Sequence, residues 1–278
     1  MITSSRSLAL PALARLCLQT IAIAAIALAA LPSPASAVTQ SWNGYRWART
    51  GPLLISLGDN LDTNWSSLLA PAAAAWSAAD NIDFTATAGK TTSAACAGVY
   101  GGVQVCNSNY GATGWLGYTY VWLSSGFIVQ ATVKLNDHYF AQKRYNTAAW
   151  RQATICHEFG HTLGLAHTNT SRSNLNTGSC MDPTNDPTGT AGTNGTLANL
   201  GPNDTDFNAL NGIYANLDAT QLPSTRLTLR IGDGYGIDGR DHDSLSFVPE
   251  PGSWLMLIAG FGSVGMAMRR RQHKIVCA

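Results

Sequence analysis

Leu53-Leu54-Ile55-Ser56-Leu57 is an apolar run closed by Gly58-Asp59-Asn60, which predicts a first strand within residues 46–57. Asp62 or Thr63 then stands where a cap is needed. Trp65, Leu68, Leu69, Ala72 and Trp76 follow at helical spacing, predicting a helix to about Ala79 with a kink or restart at Pro71. Ile82 to Thr87 alternates at period two and reads as a strand. Val103–Cys106, Trp115–Leu123 and Phe127–Leu135 are rich in β-branched and aromatic residues, with Ser124-Ser125-Gly126 as the turn between the last two. Thr147 opens a second helical pattern through Trp150, Ile155 and Phe159 to Leu163. Residues 168–201 carry the Asn, Thr, Gly, Ser and Pro of an irregular loop. Asn203 or Asp204 caps a last helix with Phe207, Leu210, Ile213 and Tyr214 on one side. No internal repeat is visible. The pattern predicts one α+β domain over residues 38–216, followed by a polar linker at 217–247.

Composition adds what periodicity does not. The 278 residues are 45% hydrophobic and 12% charged, which excludes a wholly disordered chain. The net charge of +1 averages three unlike parts. Residues 1–37 hold Arg6 and Arg15 and no acid; residues 38–248 hold 11 Lys and Arg against 15 Asp and Glu, a balance of −4. Residues 249–278 set Glu250 against Arg269, Arg270, Arg271 and Lys274, a balance of +3. The body is therefore mildly acidic, and nucleic acid is not an expected partner.

Both ends read as addresses. Arg6 and Arg15 precede the apolar run Ile21–Leu31, then Pro32, Pro34 and Ala35-Ser36-Ala37, which predicts a secretory signal peptide over 1–37 that takes Cys17 with it. At the other end, Val248-Pro249-Glu250-Pro251 leads into apolar Trp254–Met268 and then the arginine cluster. The apolar stretch is marginal for a bilayer span. Residues 248–278 resemble the PEP-CTERM sorting signal of Gram-negative bacteria. That resemblance implies transient membrane insertion through this segment, processing by an exosortase-type protease, and delivery to the cell surface or extracellular matrix.

The stretch that carries chemistry is His157-Glu158-Phe159-Gly160-His161-Thr162-Leu163-Gly164-Leu165-Ala166-His167. Residues four apart share a helix face, so His157 and His161 can present imidazoles to one ion. Gly164 permits a left-handed stop that turns the chain back and brings His167 to the same point. Three neutral imidazoles suit Zn²⁺ with a fourth position left open, and Glu158 beside the first ligand is the candidate general base. Glu158 is also the only glutamate before Glu250, although aspartates are plentiful. A zinc that merely staples the fold would need a fourth protein ligand, and the sequence offers none evident.

HEFGHTLGLAH resembles the extended zinc motif HExxHxxGxxH of the metzincin metalloendopeptidases, and the order of elements over residues 45–216 is similar to matrixin-like members. The resemblance implies a twisted mixed β-sheet with an active-site helix and a C-terminal helix. It implies a methionine turn at Ser179-Cys180-Met181-Asp182-Pro183, with Met181 beneath the metal. It implies hydrolysis of protein or peptide substrates laid along an edge strand, expected at Phe127–Leu135. Cys96, Cys106, Cys156 and Cys180 allow three pairings. If the methionine turn packs under the metal, Cys156–Cys180 joins turn to helix, leaving Cys96–Cys106. Two departures matter. Residues 38–95 contain no cysteine for a cysteine-based latency, and Asp182 and Pro183, rather than a tyrosine that could serve as a further ligand, stand just after Met181.

Secondary readings stay in view. Asp233, Asp238, Asp241 and Asp243 lie in a Gly-rich run and make Ca²⁺ a candidate, but their spacing departs from the twelve-residue calcium loop and fits a solvated linker. His138 and His242 read as polar-loop residues. The alternative function is a non-catalytic matrix or adhesion protein on the same scaffold. Glycoside chemistry would need paired carboxylates that the lone glutamate does not supply.

Overall fold

The computed structural model describes residues 41–218, 229–237 and 244–247. These belong to one compact unit. The signal peptide expected over 1–37, the segment 248–278, Cys17, Cys277, Asp238, Asp241, His242 and Asp243 lie outside the described residues.

The strands are β1 (Arg46–Trp47), β2 (Leu53–Asn60), β3 (Ile82–Ala88), β4 (Gly102–Ser108), β5 (Trp115–Ser124), β6 (Phe127–Asn136), β7 (Leu229–Gly236) and β8 (Ser244–Phe247). The helices are α1 (Ser66–Trp76), α2 (Asp137–Phe140), α3 (Ala148–Thr162) and α4 (Asp204–Ile213). The strands form one eight-stranded sheet in the order β3-β2-β4-β6-β5-β7-β8, with β1 parallel on β6. β3, β2, β4 and β6 run parallel, and β5 reverses direction against β6. The fold is α+β with a mixed sheet.

Local chemistry explains the element boundaries. Thr147 caps α3 by accepting from the Trp150 amide at 3.2 Å. Asn203 and Asp206 form a reciprocal capping box on α4. α1 passes through Pro71 without a break, because Pro71 and Ser67 both face solvent and water can satisfy the carbonyl that proline leaves unpaired. α1 buries Leu69, Ala72, Ala73 and Trp76. The Trp76 indole donates to the Cys156 carbonyl at 3.0 Å and locks α1 onto α3. Both helices pack on the sheet, over a core that includes Ile55, Leu57, Val103, Val105, Val133, Leu135 and Phe159.

Two expectations are corrected. Phe127–Leu135 is no edge: β6 lies between β4 and β5, with β1 beside it, and its residues are largely buried accordingly. Nor is 217–247 simply a linker. Residues 229–236 pair antiparallel with β5 and bury Ile231, Asp233 and Tyr235. Glycine at 232, 234 and 236 hid this strand from a reading based on β-propensity.

Asp218 closes the described body. Its carboxylate pairs with the Arg46 guanidinium and accepts from the Arg49 amide at 2.8 Å, and its own amide donates to the Arg49 carbonyl at 2.7 Å. The Arg46 hydrogen bond holds the Asp218 carboxyl below its ordinary range, outweighing the opposing effect of burial. A carboxylate with a depressed folded pKa stabilises fully above its unfolded value, and that contribution fades as pH falls through the folded one. Asp218→Ala is therefore expected to cost about 1–3 kcal/mol at pH 7. The gap from the unsubstituted protein should narrow at a pH well below the ordinary aspartate value, where the carboxyl is protonated in the folded chain too. Urea unfolding at both pH values measures it; an equal gap at both would refute the assignment.

Candidate metal centre

From Ala153 to Thr162 α3 is buried on every side, and His157, Glu158 and His161 are all fully buried. His157 Nε2 lies 3.0 Å from His161 Nε2 and 3.0 Å from His167 Nε2. The three ligand atoms form one cluster, the only such group of three among the described residues. His157 Nδ1 is 2.7 Å from the Cys180 carbonyl, and His161 Nδ1 is 2.8 Å from the Leu165 carbonyl. A carbonyl can only accept, so each Nδ1 must carry the proton and each Nε2 presents a lone pair. Lone pairs facing one another at that distance repel unless a cation lies between them. The donor set therefore fits a metal ion, and three imidazoles fit zinc. Burial, reinforced by the two neighbouring histidines, depresses the His157 pKa well below its ordinary value and keeps the ring neutral, as a ligand must be.

The return of the chain to His167 depends on Gly164, which has φ +87°. A Cβ there would fall 1.9 Å from the Tyr45 carbonyl oxygen. The Leu165 amide bonds back to the Gly160 carbonyl at 3.1 Å, and the Trp42 amide to the Gly164 carbonyl at 2.7 Å. The N-terminal strap thus holds the turn, and the Trp42 ring rests 5.5 Å from His161.

Beneath the helix, Cys156 is bonded to Cys180, and Cys96 to Cys106. The first bond fixes the carbonyl that orients His157. Met181 follows, fully buried, and its carbonyl accepts from Thr168 at 2.9 Å, just past His167. Met181 packs where Gly160 has no side chain: a Cβ at 160 would stand 2.2 Å from Met181 Sδ and 2.9 Å from Trp76.

Glu158 has its own niche. Thr119 Oγ1 donates to Oε2 at 2.7 Å, and the Tyr235 amide donates to Oε1 at 3.1 Å. A Cβ at Gly117 would fall 2.6 Å from Oε1, so β5 leaves room for this carboxylate by omitting a side chain. Burial raises the Glu158 pKa well above the usual carboxylate range, and the Thr119 and Tyr235 bonds offset part of that rise.

With this geometry in hand, comparison with known proteins adds two findings. Residues 247–271 match the PEP-CTERM protein-sorting motif. High choriolytic enzyme 1, a hatching enzyme zinc-protease from Oryzias latipes (medaka fish), has a solved structure to which this chain is similar at 12% identity and a TM-score of 0.36. The match covers 65% of this chain and 100% of that one. No curated protein matches. No helix among the described residues is long and apolar enough to cross a membrane.

The structure gathers His157, His161 and His167 and sets Glu158 on the same helix, while His138 stands apart on α2. It also adds residues that sequence reading passed over. Asp233, expected in a solvated run, is buried with Oδ2 3.4 Å from His167 Nε2 and 3.7 Å from His161 Nε2. Tyr235 lies edge-on to His157 with ring centroids 4.7 Å apart. Its hydroxyl donates to the Thr184 carbonyl at 3.2 Å, and burial pushes its pKa up to about 12. Thr119, Gly117 and Gly160 complete the set. Only the alternation of β5 hinted that Thr119 faces the helix.

Gly160→Ala would drive a methyl into Met181 and Trp76, and overpacking of this kind costs about 1–3 kcal/mol. Thermal unfolding of the metal-free protein should show a lowered Tm. An unchanged Tm would mean that Met181 does not pack against this helix turn.

Proposed function

We propose that this chain is an exported zinc endopeptidase of matrixin-like type, with His157, His161 and His167 as metal ligands and Glu158 as general base. The proposed domain plan is a signal peptide over 1–37, a catalytic domain beginning at 38, and the sorting segment at 248–278. The observation that carries the reading is the convergence of three Nε2 atoms, two of them with lone pairs fixed inward by backbone carbonyls, one residue from a buried carboxylate.

Zinc, when bound, supplies Lewis acidity: it polarises a carbonyl and lowers the pKa of a water molecule to about 7. The protein's own groups do the rest. Glu158 takes the proton of the attacking water and passes it to the leaving amine. Thr119 holds Oε2 in place, and the Tyr235 amide bonds Oε1, so the carboxylate is fixed at both oxygens. β5 runs antiparallel to the parallel strands, and an extended peptide added as a strand would pair along the side of β5 that β7 covers in the folded chain. The match at 247–271 supports export, exosortase-type processing and surface delivery.

The full chain should hold one zinc after dialysis, and His161→Ala should lose it. Glu158→Gln should keep the zinc yet cleave an unfolded protein substrate about 10²–10⁴-fold more slowly. Metal content and chelator-sensitive cleavage are the two readouts. Retention of near-normal turnover in Glu158→Gln would sink the mechanism.

A further inference from the structure

The edge of β5 that suits a peptide is already taken, by this chain. β7 pairs along it from Leu123↔Leu229 to Trp115↔Gly236, antiparallel, with Thr119 opposite Asp233. That register puts the Asp233 and Thr119 side chains on the same face of the sheet, toward α3. Three contacts follow from it. Asp233 Oδ2 lies 3.4 Å from His167 Nε2 and 3.7 Å from His161 Nε2. The Tyr235 amide donates to Glu158, and the Tyr235 ring covers His157. Gly234 makes the close approach possible, since a Cβ there would fall 2.5 Å from the Tyr118 ring and 2.9 Å from the Gly117 carbonyl oxygen.

We propose that β7 is an internal occupant of the substrate groove, with Asp233 as the fourth ligand of the metal and the Tyr235 amide on Glu158, so that the chain as folded is latent. The proposal rests on the zinc peptidase reading and adds its regulation. A carboxylate suits zinc as a ligand alongside three imidazoles. With that carboxylate as a fourth ligand, a four-coordinate zinc would have no position open to water or substrate. A strand on β5 also excludes the peptide by competing for the same backbone hydrogen bonds. Measured activity then scales with the fraction of molecules in which β7 has left the groove. Residues 38–95 offer no cysteine for latency, and Asp233 supplies a ligand from the other end of the domain.

The test loads the full chain with cobalt, whose visible spectrum reports coordination, and titrates azide as a small ligand for an open position. In the unsubstituted protein azide should leave the spectrum unchanged. Asp233→Ala should show a shift at the same azide concentrations. Asp233→Asn, which preserves the shape of the side chain, should also respond to azide, and it carries the test if circular dichroism shows that the alanine variant fails to fold. In parallel, Asp233→Ala should raise kcat/KM for an unfolded protein about tenfold or more, and adding Glu158→Gln to it should abolish the gain. Equal azide responses in all three proteins would overturn Asp233 as a ligand. Equal cleavage by the unsubstituted protein and Asp233→Ala would overturn latency. If azide reaches cobalt only in the variants but none of them cleaves, the peptidase reading fails and Asp233 becomes a structural ligand. That result differs from both of the others.

Discussion

Three imidazole Nε2 atoms gathered at one point, with the lone pairs of His157 and His161 fixed toward each other, are the constraint on which the rest of the structure depends. Without a cation the arrangement is repulsive, and without the Nδ1 contacts to the Cys180 and Leu165 carbonyls it would not exist, because either ring could rotate or change tautomer. The two carbonyls belong to different segments, and each needs its own support. Leu165 is placed by the left-handed Gly164 and clamped by the strap at Trp42. Cys180 is tied to α3 by the disulfide from Cys156, the residue just before the histidine it orients. Closing a loop of this length removes conformational freedom from the unfolded chain worth about 3 kcal/mol.

A second constraint comes from burying the Glu158 carboxylate. Its cost is offset by two donors and by empty volume: Thr119 and the Tyr235 amide bond it, and Gly117 makes room. Gly160 makes similar room for Met181 on the turn of α3 between His157 and His161. In both places a missing side chain lets α3 sit close to its surroundings while carrying bulky polar groups. The segment 168–201 solves its own problem differently. It has no helix or strand, so Asp182, Asn176, Asn194 and Asn199 use their side chains to satisfy backbone groups that a ladder would otherwise pair.

How legible all this is from sequence depends on how far apart the cooperating residues lie. The histidine spacing, the glycine stop, the caps at Thr147 and Asn203 and the runs of β4, β5 and β6 are local, and periodicity exposes them. β6 as an interior strand is a matter of pairing partners, and a strand's own residues do not name them. Asp233 is harder still. It lies 66 residues beyond His167 in a stretch whose glycines imitate a linker, and only the β5 register brings it to the metal centre. Gly117 and Gly160 read as ordinary glycines until the neighbour that needs their space is known.

The direction of β5 links these observations. The strands from β3 to β6 run parallel, and such sheets need crossover connections and cover on both faces. By turning back at Ser125-Gly126, both with positive φ, β5 ends that run and presents an antiparallel edge beside α3. An antiparallel edge accepts an extended segment with any connection or none at all. It therefore does not distinguish a peptide from outside from a strand of the same chain, provided the side chain opposite Thr119 fits between β5 and the histidines. In the folded chain that residue is Asp233, flanked by glycines that let the backbone lie close. The same geometry that would admit an extended peptide from outside is thus the one that β7 fills.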